Sequence, residues 1–183
     1  MRFVPIPFLS LIVSVTTCLH AEIDSGPKVG TTVSPLKVFA ATGDHAGKEL
    51  DFAIERSKKP TIYIFIQHER FDRPLARLIK ALEKGAIEAG NDSSLVTVFL
   101  TADEVKTKDH LPRIQMSLHF TANPLVIYPS ATMSPEGWSV NTDAQLTALV
   151  VNEDKVTASF GYRSANETVA PEILTALKKT LGK

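Results

Sequence analysis

Histidines and carboxylates are the residues of this chain best equipped for chemistry. His45, His68, His110 and His119 occur with Asp44, Glu69 and Asp72, the donor types that hold zinc when three or four converge. His110 and His119 are nine residues apart, which on an uninterrupted helix is about half a revolution out of phase, so they point to opposite sides. Asp44 and His45 reach His68 and Glu69 only if the connection that carries them folds over the end of a strand. The sequence therefore assigns no metal ligands and expects solvated or locally hydrogen-bonded imidazoles.

Other chemistries are less well equipped. No serine lies in a Gly-x-Ser-x-Gly elbow, and spacing indicates no serine, histidine and acid arrangement. Glu69 and Asp72 are a potential acid and base pair, but they alternate with Arg70 and Arg73, as in a solvated charged loop that ends in a helix cap. Gly43 to Gly47 has neither the lysine nor the spacing of a phosphate loop. No cofactor is implied. Trp138, Tyr128 and Phe120 offer large contact areas for a groove, although such aromatics more often complete a core. With 20 Lys plus Arg against 20 Asp plus Glu, the chain lacks the basic excess that draws nucleic acid.

Cys18 is the only cysteine. It follows Arg2 and the apolar stretch Phe3 to Val15, in the order of an export signal with cleavage after Ala21. The apolar part is too short for a transmembrane helix, which needs about 20 residues. Residues 1–21 are thus read as a signal peptide, and the processed protein is expected to be periplasmic or secreted, without a transmembrane segment and without a thiol. Lipidation of Cys18 is disfavoured by Thr17, where lipoprotein signals place Gly or Ala. Residues 22–35 mix Gly, Pro, Ser and Thr and read as a tether to one domain over 36–183.

The elements that must position the candidate residues have clear periodicity. Leu36 to Ala40 and Leu50 to Ile54 are strand-like around a turn-rich connection. Thr61 to Gln67, Thr-Ile-Tyr-Ile-Phe-Ile-Gln, is a β-branched and aromatic run expected of a strand buried on both faces. Beyond it the period becomes helical, with Asp72 as N-cap, Pro74 in the first turn, and Leu75, Leu78, Ile79, Leu82 and Ala86 on one face. Lys80 lies off that face and should tolerate replacement. Leu95 to Leu100 forms a further strand, and Thr101 to Glu104 has capping-box spacing for a helix that Pro112 should break or restart. Leu125 to Tyr128 is extended and residues 130–137 are irregular. Leu146 to Val151 and Lys155 to Phe160 form a hairpin around residues 152–154, and a helix runs from Thr168 to Leu181.

This order resembles the thioredoxin-like fold, and in particular its exported peroxiredoxin-like (redoxin) branch, over residues 36 to 181. Gly47-Lys48-Glu49-Leu50 is similar to the segment preceding the family's central strand, and residues 59–66 are similar to that strand. Gly137-Trp138-Ser139-Val140 and residues 150–156 are similar to the element before the family's hairpin and to the hairpin itself. The resemblance implies an α/β three-layer sandwich, with a mixed central sheet, flanking helices and a C-terminal hairpin plus helix.

The resemblance also implies a location for chemistry. In the family, the thiol sits where the central strand meets the following helix, whose N-terminus stabilises a thiolate. Alignment places Phe71 and Pro74 on the two cysteine positions. The family's cis-proline neighbourhood corresponds to Asn141-Thr142-Asp143-Ala144, which has no proline. The expectation is an exported domain without thiol redox chemistry. It would be a binding or scaffolding module with a candidate groove at His68, Glu69, Phe71, Asp72, Arg73 and Pro74, and a protein or small molecule as partner. The alternative is a redoxin-related or metal-assisted enzyme that uses the same groove.

Overall fold

The computed structural model describes residues 22–129 and 134–183. Residues 1–21, read from sequence as a signal peptide and containing Cys18, and residues 130–133 lie outside the described residues. Among the described residues, seven strands form one sheet: β1 (Lys37–Ala40), β2 (Glu49–Asp51), β3 (Thr61–Gln67), β4 (Ser94–Thr101), β5 (Leu125–Pro129), β6 (Leu146–Asn152) and β7 (Lys155–Tyr162). Their spatial order is β2-β1-β5-β4-β3-β6-β7. β3 pairs in parallel with β4 and antiparallel with β6, and β4 pairs in parallel with β5. This central position explains the unbroken apolar character of β3, because neither face meets water.

Side-chain alternation divides the core into two layers. Ile62, Ile64 and Ile66 face three helices, α2 (Arg73–Ala89), α3 (Glu104–Leu118) and α4 (Ala170–Thr180), which supply Leu78, Leu111 and Ile173 among others. Tyr63 and Phe65 face the opposite layer, made of Leu36, Phe52 and Trp138. Trp138 is fully buried, 5.2 Å from the Tyr63 ring and 5.1 Å from the Phe65 ring. Its indole N–H donates to the Pro35 carbonyl. It finishes a core. The sequence-based architecture, a mixed sheet between two covering layers, is the one observed.

Four local expectations are corrected. The second strand ends at Asp51, whose carboxylate accepts the Ala53 and Ile54 amides and caps a single helical turn, α1 (Phe52–Glu55). Helix α3 is capped by Asp103, which accepts from the Lys106 amide at 3.0 Å. Thr101 instead accepts from the Asp103 amide and the Thr107 hydroxyl. Pro112 sits inside α3 without ending it. An interior proline costs about 3 kcal/mol, but Leu111 and Ile114, on either side of it, are both buried in the core, and this burial offsets that cost. Lys80 is also no idle surface residue: its ammonium is 2.8 Å from Glu83 Oε2, and Glu83 is only 2% exposed. The other Glu83 oxygen accepts the Thr121 and Ala122 amides at 2.7 and 2.9 Å.

Residues 22–34, read from composition as a tether, lie along β7 as a strap. Ile23 N donates to Gly161 O, Gly30 N to Val156 O, and Val156 N to Thr31 O. Ser25 is buried, its hydroxyl 2.6 Å from that of Thr147. Two glycines make the close approach feasible: a Cβ on Gly161 would lie 2.1 Å from Ile23 O, and one on Gly26 would lie 2.3 Å from Ser159 Oγ. Most of the anchoring involves backbone groups of the strap, which composition does not report.

Candidate functional site

The C-terminal end of β3 passes into a 3-10 turn, His68–Arg70, and Phe71 and Asp72 then lead into α2. The change of direction buries His68, which is 8% exposed, while Glu69 and Arg70 turn outward. His68 packs edge-on to Phe99 of β4 with ring centroids 6.2 Å apart. Its Nε2 lies 2.8 Å from Nδ1 of His110 on α3. One of these nitrogens donates and the other accepts, so the two facing atoms share a single bridging proton. Burial, followed by the neighbouring His110, lowers the His68 pKa from the usual imidazole value; Lys106 adds to this, while Glu69 and Asp103 oppose it.

The two positions read from sequence as the counterparts of the cysteines, Phe71 and Pro74, hold groups engaged in packing and helix initiation. Phe71 is half-buried with its ring edge-on to Phe99 at 5.5 Å. Pro74 stands in the first turn of α2, where its missing N–H costs nothing. Asp72 is the N-cap, accepting the Leu75 amide at 2.9 Å through Oδ1. Its Oδ2 accepts Gln145 Nε2 at 3.2 Å. Arg73 is exposed.

The segment in the place of the family's proline element approaches this turn from β6. Arg70 donates to Asp143 O at 3.2 Å, and Gln67 to Thr142 O at 2.6 Å. Gln145 spans the two sides, accepting the Ala165 amide at 2.9 Å through Oε1. The junction is therefore braced by side-chain amides and a guanidinium.

Two grooves open here. One, of about 590 Å³ between α2 and α3, includes Phe71, Asp72, Arg73, Ala76, His110 and Arg113 in its lining. The other, of about 480 Å³, is lined by Glu69, Arg70, Phe71, Asp72, Gln145 and Arg163. Of the six candidate residues, His68 is buried beneath the junction and Pro74 belongs to neither groove. The remaining sequence candidates are dispersed. His45 pairs with Glu55 at 3.1 Å and lines a cleft with Ser94 and Pro124, at the far end of β4. His119 is the left-handed C-cap of α3. Among the described residues, no three His, Cys, Asp or Glu side chains converge as a metal site. Sequence reasoning missed the His68–His110 pair and Gln145, whose partners lie far away in the chain, and Arg113, which shares a groove with residues of α2; no spacing signals any of them.

No protein-family model matches the sequence, and no curated protein matches it. Solved structures do. A DsbF homologue from Corynebacterium diphtheriae superposes with a TM-score of 0.64 at 14% identity, covering 94% of this chain and 99% of its own. The peroxidoxin BcpB from Mycobacterium tuberculosis gives 0.60 at 17% identity, over 83% of this chain and 97% of its own. An exposed lipoprotein thioredoxin of Streptococcus pneumoniae gives 0.58 at 20% identity, over 80% and 99%. The shared architecture bears out the resemblance read from sequence at the level of fold. The chain has the thioredoxin-like fold of the redoxins, on a sequence whose single cysteine, Cys18, leaves no active-site pair.

Proposed function

We propose that the protein is an exported thioredoxin-like domain that performs no thiol redox chemistry and acts as a binding module through the grooves at the β3–α2 junction. The observation that carries this reading is the chemistry of the junction. Phe71 packs on Phe99, Pro74 begins the helix, and the Asp72 carboxylate is committed to the Leu75 amide and Gln145. None of these groups is a redox nucleophile, and a chain cleaved after Ala21 has no thiol to take part in exchange. Export is supported by the Arg2 to Ala21 pattern and by the description of one structural neighbour as an exposed lipoprotein and of another, from Corynebacterium glutamicum, as secreted.

The test is insulin reduction and hydroperoxide consumption by the purified protein, with a cysteine-bearing homologue as positive control. Rates equal to the protein-free background are expected. Turnover well above background without added metal overturns the reading. N-terminal sequencing from the native host should begin near Glu22, and an intact Met1 in the cytosol contradicts export.

The His68–His110 contact favours a second reading, a metal-assisted activity, since facing imidazoles supply two donors. Its mark is turnover that requires added zinc, copper or iron and is lost in His68→Ala.

A further inference from the structure

The groove between α2 and α3 presents two kinds of surface. Ala76 and Ile114 are buried and Phe71 and Leu118 half-buried, which gives it an apolar side. Arg73 on α2 and Arg113 on α3 line the same groove and are exposed. Among the described residues, neither guanidinium is paired with a carboxylate or a carbonyl. By contrast, Arg70 is held by Asp143 O, and Arg77 lies 3.4 Å from Glu167. Asp72 is the one carboxylate lining the groove among the described residues, and its two oxygens already accept hydrogen bonds from the Leu75 amide and Gln145.

We propose that this groove binds a small monocarboxylate with a medium-length apolar body. Arg73 and Arg113 hold the carboxylate, and the body lies against Ala76, Ile114 and Leu118. The assignment rests on the reading of the domain as a binding module. Guanidinium forks match the planar geometry of a carboxylate and bind it with charge-assisted hydrogen bonds. The volume of about 590 Å³ falls within the range of small-molecule sites. An uncharged apolar ligand would leave both guanidiniums unused, and a highly charged anion would leave the apolar surface unused.

Calorimetric titration of the purified protein with octanoate tests this, with octyltrimethylammonium and octyl glucoside as cationic and uncharged controls below their micelle concentrations. Saturable one-to-one binding of octanoate is expected, weakened by salt and at least about tenfold tighter than either control. The double variant Arg73→Gln/Arg113→Gln alters two exposed side chains, so it should keep the wild-type melting temperature and lose about tenfold or more in octanoate affinity. Amide resonances of Ala76, Arg113 and Ile114 should shift on titration. Absence of saturable octanoate binding, equal affinity for a control, or an unchanged double variant overturns the proposal. So does a peptide C-terminus that binds the same residues far more tightly than octanoate. A redox-silent protein that ignores octanoate loses this ligand class alone, whereas a protein that reduces insulin loses the underlying reading.

Discussion

His68 Nε2 and His110 Nδ1 lie 2.8 Å apart, joining the end of β3 to α3 by one imidazole–imidazole hydrogen bond in a partly buried setting. Such a bond works only while one of the two facing nitrogens keeps its lone pair. A second proton at these two facing nitrogens removes the acceptor and breaks the bond.

The pH dependence of stability follows. The His68 pKa is lowered by burial and by His110, so between its folded value and the ordinary value of about 6.5 the unfolded chain binds more protons than the folded one. The contribution is fully present above about pH 6.5 and is lost as pH falls toward the lowered folded value. Thermal melts at pH 7.5 and 5.5 should show the wild type losing stability on acidification. His68→Gln should be less stable at pH 7.5, with a flatter dependence. Parallel pH profiles would place the origin elsewhere.

Helix α2 yields a graded set. Leu78 is fully buried, and Leu78→Ala should cost about 2–5 kcal/mol through lost burial and the cavity left behind. The Lys84 side chain is 77% exposed, and Lys84→Ala should stay within about 0.5 kcal/mol. Lys80→Ala should fall between them, because it deprives the buried Glu83 carboxylate of its cation. Urea denaturation of the three variants checks the order. Equal values for Lys80 and Lys84 would show that Glu83 depends on the Thr121 and Ala122 amides alone.

Gly161 sets the fit of the strap. Its missing side chain leaves room for Ile23 O, which a Cβ would meet at 2.1 Å. Gly161→Ala should therefore lift residues 22–26 without dismantling the sheet. Hydrogen exchange at the Ile23 and Gly26 amides should accelerate by about tenfold or more, with β3 and β4 unchanged. Unaltered exchange at Ile23 would mean that the strap can shift sideways to accommodate the methyl group.

The contrast between α2 and the strap explains how much was legible in the sequence. Leu75, Leu78, Ile79 and Leu82 repeat with the helix period, and Asp72 and Pro74 are start signals readable within one turn. Both are local facts. The strap resembles a linker because glycine and serine serve flexibility and close packing alike, and its bonds go to residues more than 100 positions away. The candidate site divides in the same manner. Phe71 to Pro74 are read from the strand-to-helix junction by the family resemblance, and of these Phe71, Asp72 and Arg73 line the grooves there. His110 was compared with His119 on its own helix, whereas its actual partner is 42 residues upstream.

The strap also determines what β7 can do to other molecules. As the last strand in the order, β7 would otherwise expose a row of unpaired amides and carbonyls, the template on which a second chain adds a strand. Ile23, Gly30, Thr31 and Val33 occupy this row with their own backbone groups, at Gly161, Val156 and Asp154. Sequence that looks like spacer therefore guards against sheet-to-sheet aggregation. Cutting the chain at residue 35 would turn the edge of β7 into a self-association surface.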